Sequence, residues 1–131
     1  MLFRSAVLDA LQPQYAWAAQ VSPDDQSIEA QYVEYDSPNG HGTMRGYWAA
    51  PAGMAEPKPG VLVIHENRGL NPYIQDVVRR VAKAGYLAFG PDGLSSIGGY
   101  PGNDDYGRTL QAQLDDDKLD QDMYASARFL K

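Results

Sequence analysis

The chain contains no cysteine in its 131 residues, which excludes a disulfide framework, a thiolate metal site and a cysteine nucleophile from these positions. It also lacks any apolar run near the roughly 20 residues that a membrane-spanning helix needs. Basic residues are few: 11 against 17 acidic ones, for a formal net charge of -6. They are scattered and form no single stripe, so a nucleic-acid interface is not expected. No internal repeat and no low-complexity block appears.

What remains is ordinary globular material, 44% hydrophobic and 21% charged. The length suits one domain or part of one. Met1–Ser5 bears no relation to the residues after it and reads as a non-native start. Ala6–Ala19 contains Ala16-Trp17-Ala18, a small-x-small pattern of the kind signal peptidase cleaves. Asp9, the missing basic segment and Gln12-Pro13-Gln14 argue equally for a short surface helix. The first reading sends the parent protein to the periplasm, the second leaves it in the cytoplasm, and both stay open. Residues 1–26 are thus expected to comprise a non-native start, a leader remnant and a linker, and residues 27–131 the domain.

Ser27–Tyr35 and Thr43–Ala50 are strand candidates, and Ser37-Pro38-Asn39-Gly40-His41-Gly42 between them supplies hairpin chemistry, since Asn-Gly tolerates positive φ. Pro51–Pro59 cannot continue a sheet. Val61–His65 comes next as an apolar run without alternation, the pattern of a strand covered on both faces. Asn71 is a candidate N-cap with Pro72 at the first helical position, and Ile74, Val77, Val78 and Val81 mark the helix's apolar face. Gly85 closes that helix.

Tyr86–Phe89 is a further buried strand, ending at Pro91-Asp92-Gly93. The unit is strand, helix, strand, which predicts an α/β fold of hairpin plus βαβ in a mostly parallel, doubly wound sheet. A long loop from Asp92 to Asp105 starts on the same sheet edge as Glu66, and carboxyl edges are where open α/β sheets place their sites. Leu119, Met123, Ala127 and Leu130 predict an apolar stripe on a last helix. A βα pattern stopping on a helix lacks its next parallel strand, so residues 27–131 read as the amino-terminal portion of a larger domain.

The segment VLVIHENRGLNPYIQDVVRRVAKAGYLAFGPDGLSSIGGYPGNDD resembles the dienelactone hydrolase (carboxymethylenebutenolidase) family of α/β-hydrolases, over roughly Glu29 to Lys131. HENRGLNPYI and GYPGNDD resemble a branch with exported members. The resemblance implies a hydrolase of ester or lactone bonds that forms a covalent acyl-enzyme, needs no cofactor and takes a small-molecule substrate. The family's cysteine, in a G-x-C-x-G elbow, and its later aspartate and histidine are absent here, so this chain alone is expected to be inactive. Carried over are Glu66, which looks like the glutamate that helps ionise the cysteine, and Asn67, whose backbone N–H looks like an oxyanion donor. The family's substrate-binding arginine falls near Ser96. Arg68, Ser96 and Tyr100 are the substrate-binding candidates.

Each candidate has a bland alternative. A buried Glu66 would need a partner such as Arg68 or a histidine, whereas an exposed one would simply pair with Arg68. His65, at a strand end, is expected to be a packed hydrogen-bonding residue, and His41, inside a turn, to be solvated. Asp92 is expected to cap the turn after it. Asn103-Asp104-Asp105 and Asp115-Asp116-Asp117 lack EF-hand spacing and suit helix N-termini. Tyr100 and Tyr106 either line an aromatic wall or only anchor the loop. Two other classes stand beside the hydrolase: a nucleotide- or phosphate-binding βαβ unit, which the missing G-x-G-x-x-G and G-x-x-x-x-G-K-[ST] motifs disfavour, and a non-catalytic interaction module.

Overall fold

The structure, a computed structural model, describes residues 19–131, so the leader-like segment and the non-native start lie outside the described residues. Four strands form one sheet: β1 (Ile28–Ser37), β2 (Gly42–Pro51), β3 (Gly60–Leu62) and β4 (Leu87–Asp92), in the order β1-β2-β4-β3. The β1/β2 hairpin is antiparallel and closes with Ser37 opposite Gly42, and the left-handed residue is Gly42 at φ +86° instead of the expected Asn39-Gly40. β2 meets β4 antiparallel, with Arg45 opposite Asp92, and β3 meets β4 in parallel, with Val61 opposite Ala88. The described sheet is therefore mixed.

Helix α1 (Pro72–Lys83) supplies the crossover from β3 to β4. Its start is the expected one. The Asn71 side chain accepts the Ile74 N–H at 3.0 Å, and Pro72 occupies the first turn, where its missing N–H costs nothing. α1 packs Ile74, Val78 and Ala82 against Tyr47, Ala49 and Ala88 on one sheet face. Helices α2 (Asp104–Gln111) and α3 (Asp116–Leu130) come last, started by Asn103 and Asp115, whose side chains accept the N–H of Tyr106 and Lys118. On the opposite face Tyr35, Met44 and Phe89 form a core with Ala125 of α3. No helix among the described residues is long and apolar enough to cross a membrane.

Three expectations change. The regular part of β3 spans only Gly60–Leu62, although Val63 N–H still donates to Phe89 O at 2.8 Å. It is also an edge strand. Val63 packs into the α1-side core and Leu62 into the α3-side core, so both faces are covered as the unbroken apolar run implied. Its outer flank has no neighbour among the described residues, and Ile64 is 49% exposed. The fully buried face of α3 is Asp122, Ala125 and Ser126; of the expected stripe, Leu119, Met123 and Leu130 are half-buried, with Leu130 against the α3-side core, and Ala127 is exposed, while Ala127 and Leu130 also border an apolar cleft of about 580 Å³ beside the β3 edge.

Third, His41 is not solvated, because Asp122 reaches out of α3 into the hairpin turn. One Asp122 oxygen accepts the Ser37 hydroxyl at 2.6 Å and the His41 backbone N–H at 2.8 Å, and the other meets His41 Nδ1. Asp122 has no exposed surface and makes good the desolvation of its charge with these donors. Tyr35, whose hydroxyl donates to the Asp122 carbonyl at 3.1 Å, is held well above the usual phenol range by burial. Asp122→Ala strands the buried Ser37 hydroxyl and two part-buried His41 donors and is expected to lower the unfolding free energy by about 3 kcal/mol in urea titration. Asp120→Ala, on the exposed side of the same helix, should change it by less than about 0.5 kcal/mol.

Candidate active site

The loop from His65 to Asn71 leaves the carboxyl end of β3 and is fastened from below at each step. His65 is buried and neutral in its hydrogen-bonding pattern: Nε2 accepts the Gly93 N–H at 2.9 Å, so Nδ1 carries the proton and donates to Glu66 O at 2.7 Å. It is the packed, structural residue expected. The same Glu66 carbonyl accepts Gln111 Nε2 at 3.1 Å, which brings α2 to the loop.

Two glycines make the close approach possible. Gly69 has φ +83°, the left-handed region, and a Cβ there would stand 2.6 Å from Leu94 Cδ1. At Gly107 a Cβ would stand 2.3 Å from the Arg68 carbonyl oxygen, so only glycine lets α2 lie against the loop.

Asp92, buried at the end of β4, joins this loop to the next. Its Oδ1 accepts the N–H of Leu94 at 3.0 Å and of Leu70 at 3.3 Å, and its Oδ2 accepts that of Tyr100 at 2.8 Å. The turn cap expected of Asp92 is present, with two longer-range bonds added. Charge-assisted bonds of this kind contribute about 1.5 to 3 kcal/mol each. Asp104 does similar service one layer up. It is buried, accepts the Tyr100 hydroxyl at 2.6 Å, lies 3.4 Å from Asn71 Nδ2 and pairs with Arg68 NH1 at 3.5 Å.

Glu66, Asn67, Arg68 and Asp104 line a cleft of about 240 Å³. Glu66 is exposed, and its carboxylate has no hydrogen bond or ion pair among the described residues. Neither expected partner is in place: Arg68 is held by Asp104, and His65 is turned inward to Gly93. The reason is the open edge, since Glu66 lies just beyond β3, one of the sheet's two edge strands, whose outer flank has no neighbour among the described residues. The Asn67 N–H donates to no acceptor among the described residues and stands in the same cleft.

Tyr100 lines a separate cavity and points its hydroxyl at Asp104. Ser96 is exposed and lines neither space. The acidic runs act as helix starts, and no group of three or more His, Asp or Glu among the described residues is placed to hold a metal. The long-range anchoring by Asp92, Asp104 and Asp122 is the functional scaffold that sequence reading did not single out.

A hairpin, a βαβ unit and a strand-end loop with an unengaged carboxylate define a protein of the α/β-hydrolase class. The chain belongs to the dienelactone hydrolase family, whose sequence model matches residues 44–131. It is 64% identical over 110 residues to an Escherichia coli K12 protein bearing the name hydrolase fragment YghX, covering 84% of this chain and 94% of that one. A Synechocystis protein named as a carboxymethylenebutenolidase is 44% identical over 54 residues, 41% of this chain and 22% of its own length. Among solved structures, a Klebsiella pneumoniae protein named as a dienelactone hydrolase aligns with TM-score 0.60 and 27% identity, over 78% of this chain and 44% of its own. The chain thus spans less than half of these two longer relatives.

The contact at Gly107 gives a direct test. Gly107→Ala is expected to push α2 off the Arg68 carbonyl, cost about 1 to 3 kcal/mol in urea titration and weaken the Gln111–Glu66 bond. Thr109→Ala, on the exposed side of α2, should be near neutral.

Proposed function

We propose that this chain is the amino-terminal portion of an ester or lactone hydrolase that works through a covalent acyl-enzyme, and that alone it is inactive. One observation carries the reading: a free carboxylate, Glu66, and a free backbone N–H, Asn67, share a cleft on a clamped loop at the end of the open edge strand. The relatives of known structure, whose chains are more than twice the length of the region they share with this one, support a further segment beside β3 that brings the nucleophile.

In this reading the nucleophile is a thiol whose proton is drawn off as Glu66 hydrogen-bonds and helps ionise it. The sulfur attacks the carbonyl carbon, the carbon–oxygen π pair moves to oxygen, and the Asn67 N–H stabilises the resulting oxyanion, worth about 3 to 4 kcal/mol for one donor. Collapse expels the alcohol, which takes up a proton, and water then hydrolyses the thioester. Arg68 borders the substrate. Ser96 and Tyr100 stand outside the Glu66 cleft and have no part at the reacting centre.

Assay of p-nitrophenyl acetate is the test. The 131-residue chain should show no turnover above buffer. The full-length parent should turn over, and its Glu66→Gln variant should lose about 100-fold in kcat. A parent with full activity after that substitution contradicts the role given to Glu66.

A further inference from the structure

A second cavity, of about 340 Å³, opens on the α1 side of the sheet and shares no lining residue with the Glu66 cleft. Its one cation is Arg45. The Arg45 backbone is fixed twice by Ser95, whose hydroxyl accepts the Arg45 N–H at 3.0 Å and lies 3.1 Å from the Arg45 carbonyl. The guanidinium carbon lies 4.3 Å from the centre of the Tyr32 ring, a cation–π contact, and the Tyr32 hydroxyl donates to Gln75 Oε1 at 2.8 Å. The fork is therefore oriented by packing while its N–H groups form no ion pair among the described residues. Glu34, the cross-strand neighbour of Arg45, neither pairs with it nor lines the cavity.

The remaining walls suit a flat organic body. Tyr100 offers aromatic surface, the Tyr32 ring being taken by Arg45 and by Tyr47 at 5.1 Å, and Gly98 and Gly99 leave the space beside Tyr100 without side chains. The Asp92 carboxylate beneath is engaged by three backbone N–H groups, which occupy its acceptor positions on the protein side.

We propose that this cavity is a binding site for a small planar carboxylate, its anionic head bidentate on Arg45 and its body against Tyr100 beside Gly98 and Gly99. The inference stands on this cavity's own geometry and does not rest on the hydrolase reading. A carboxylate is also the product class of ester hydrolysis, which would make the site a place for product or effector.

The probe is sodium benzoate, titrated into the full 131-residue chain while backbone amide shifts are monitored by NMR, with benzamide as the uncharged isostere. Benzoate should give saturable shifts at Arg45, Gly98, Gly99 and Tyr100, and benzamide should not. Arg45→Gln, an exposed substitution, should weaken benzoate at least about tenfold with the rest of the spectrum unmoved. Three results would each overturn the proposal: no saturable shift at those amides up to about 10 mM benzoate, equal binding of benzamide, or benzoate binding unchanged in Arg45→Gln.

Discussion

The architecture at the sheet's carboxyl edge depends on one buried carboxylate. Asp92 gathers N–H groups from residues 70, 94 and 100, which belong to two loops that would otherwise have separate fates. A carboxylate is suited to this because it accepts from several directions, and burial makes each bond hard to exchange for water. The cost of burying the charge is met by donors the loops must place somewhere in any case. Glu66 and Asn67 can then sit exposed on a strand-end loop and still be positioned.

The same device recurs. Asp76 takes the N–H groups of Gln20 and Val21 and pairs with Arg79 and Arg80, tying the segment before β1 to α1. Asp104 joins Tyr100, Asn71 and Arg68, and Asp122 pins the hairpin turn to α3. An acidic chain thus uses part of its charge as internal fasteners. Breaking any one leaves unpaired donors, and such groups, kept buried without an acceptor, cost more than the bond itself gains.

Features governed by neighbouring residues were legible in the sequence. Asn71-Pro72 started α1, Asp115 started α3, and Asp92 capped its turn, because each acts within a few residues of itself; the hairpin formed where expected, but its left-handed residue is Gly42 and not Asn39-Gly40. Residues whose partners lie far along the chain were not. His41 looked solvated because its partner, Asp122, is 81 positions away, and the α3 stripe was legible only in part because a fully buried aspartate beside it does not register as apolar. The exposure of Glu66 comes from strand order, and β3 takes the edge by a crossover that no local pattern encodes. The family resemblance, by contrast, was carried by short motifs and held over residues 44–131.

The central claim is that Asp92 couples the Glu66 loop to the loop carrying Tyr100. Amide hydrogen exchange on wild type and Asp92→Ala measures this directly. The account predicts that Leu70, Leu94 and Tyr100 amides speed up together while the Ala88 amide, inside the sheet, keeps its protection. Wild-type exchange at those three positions, or loss of protection at Leu94 alone, would contradict it.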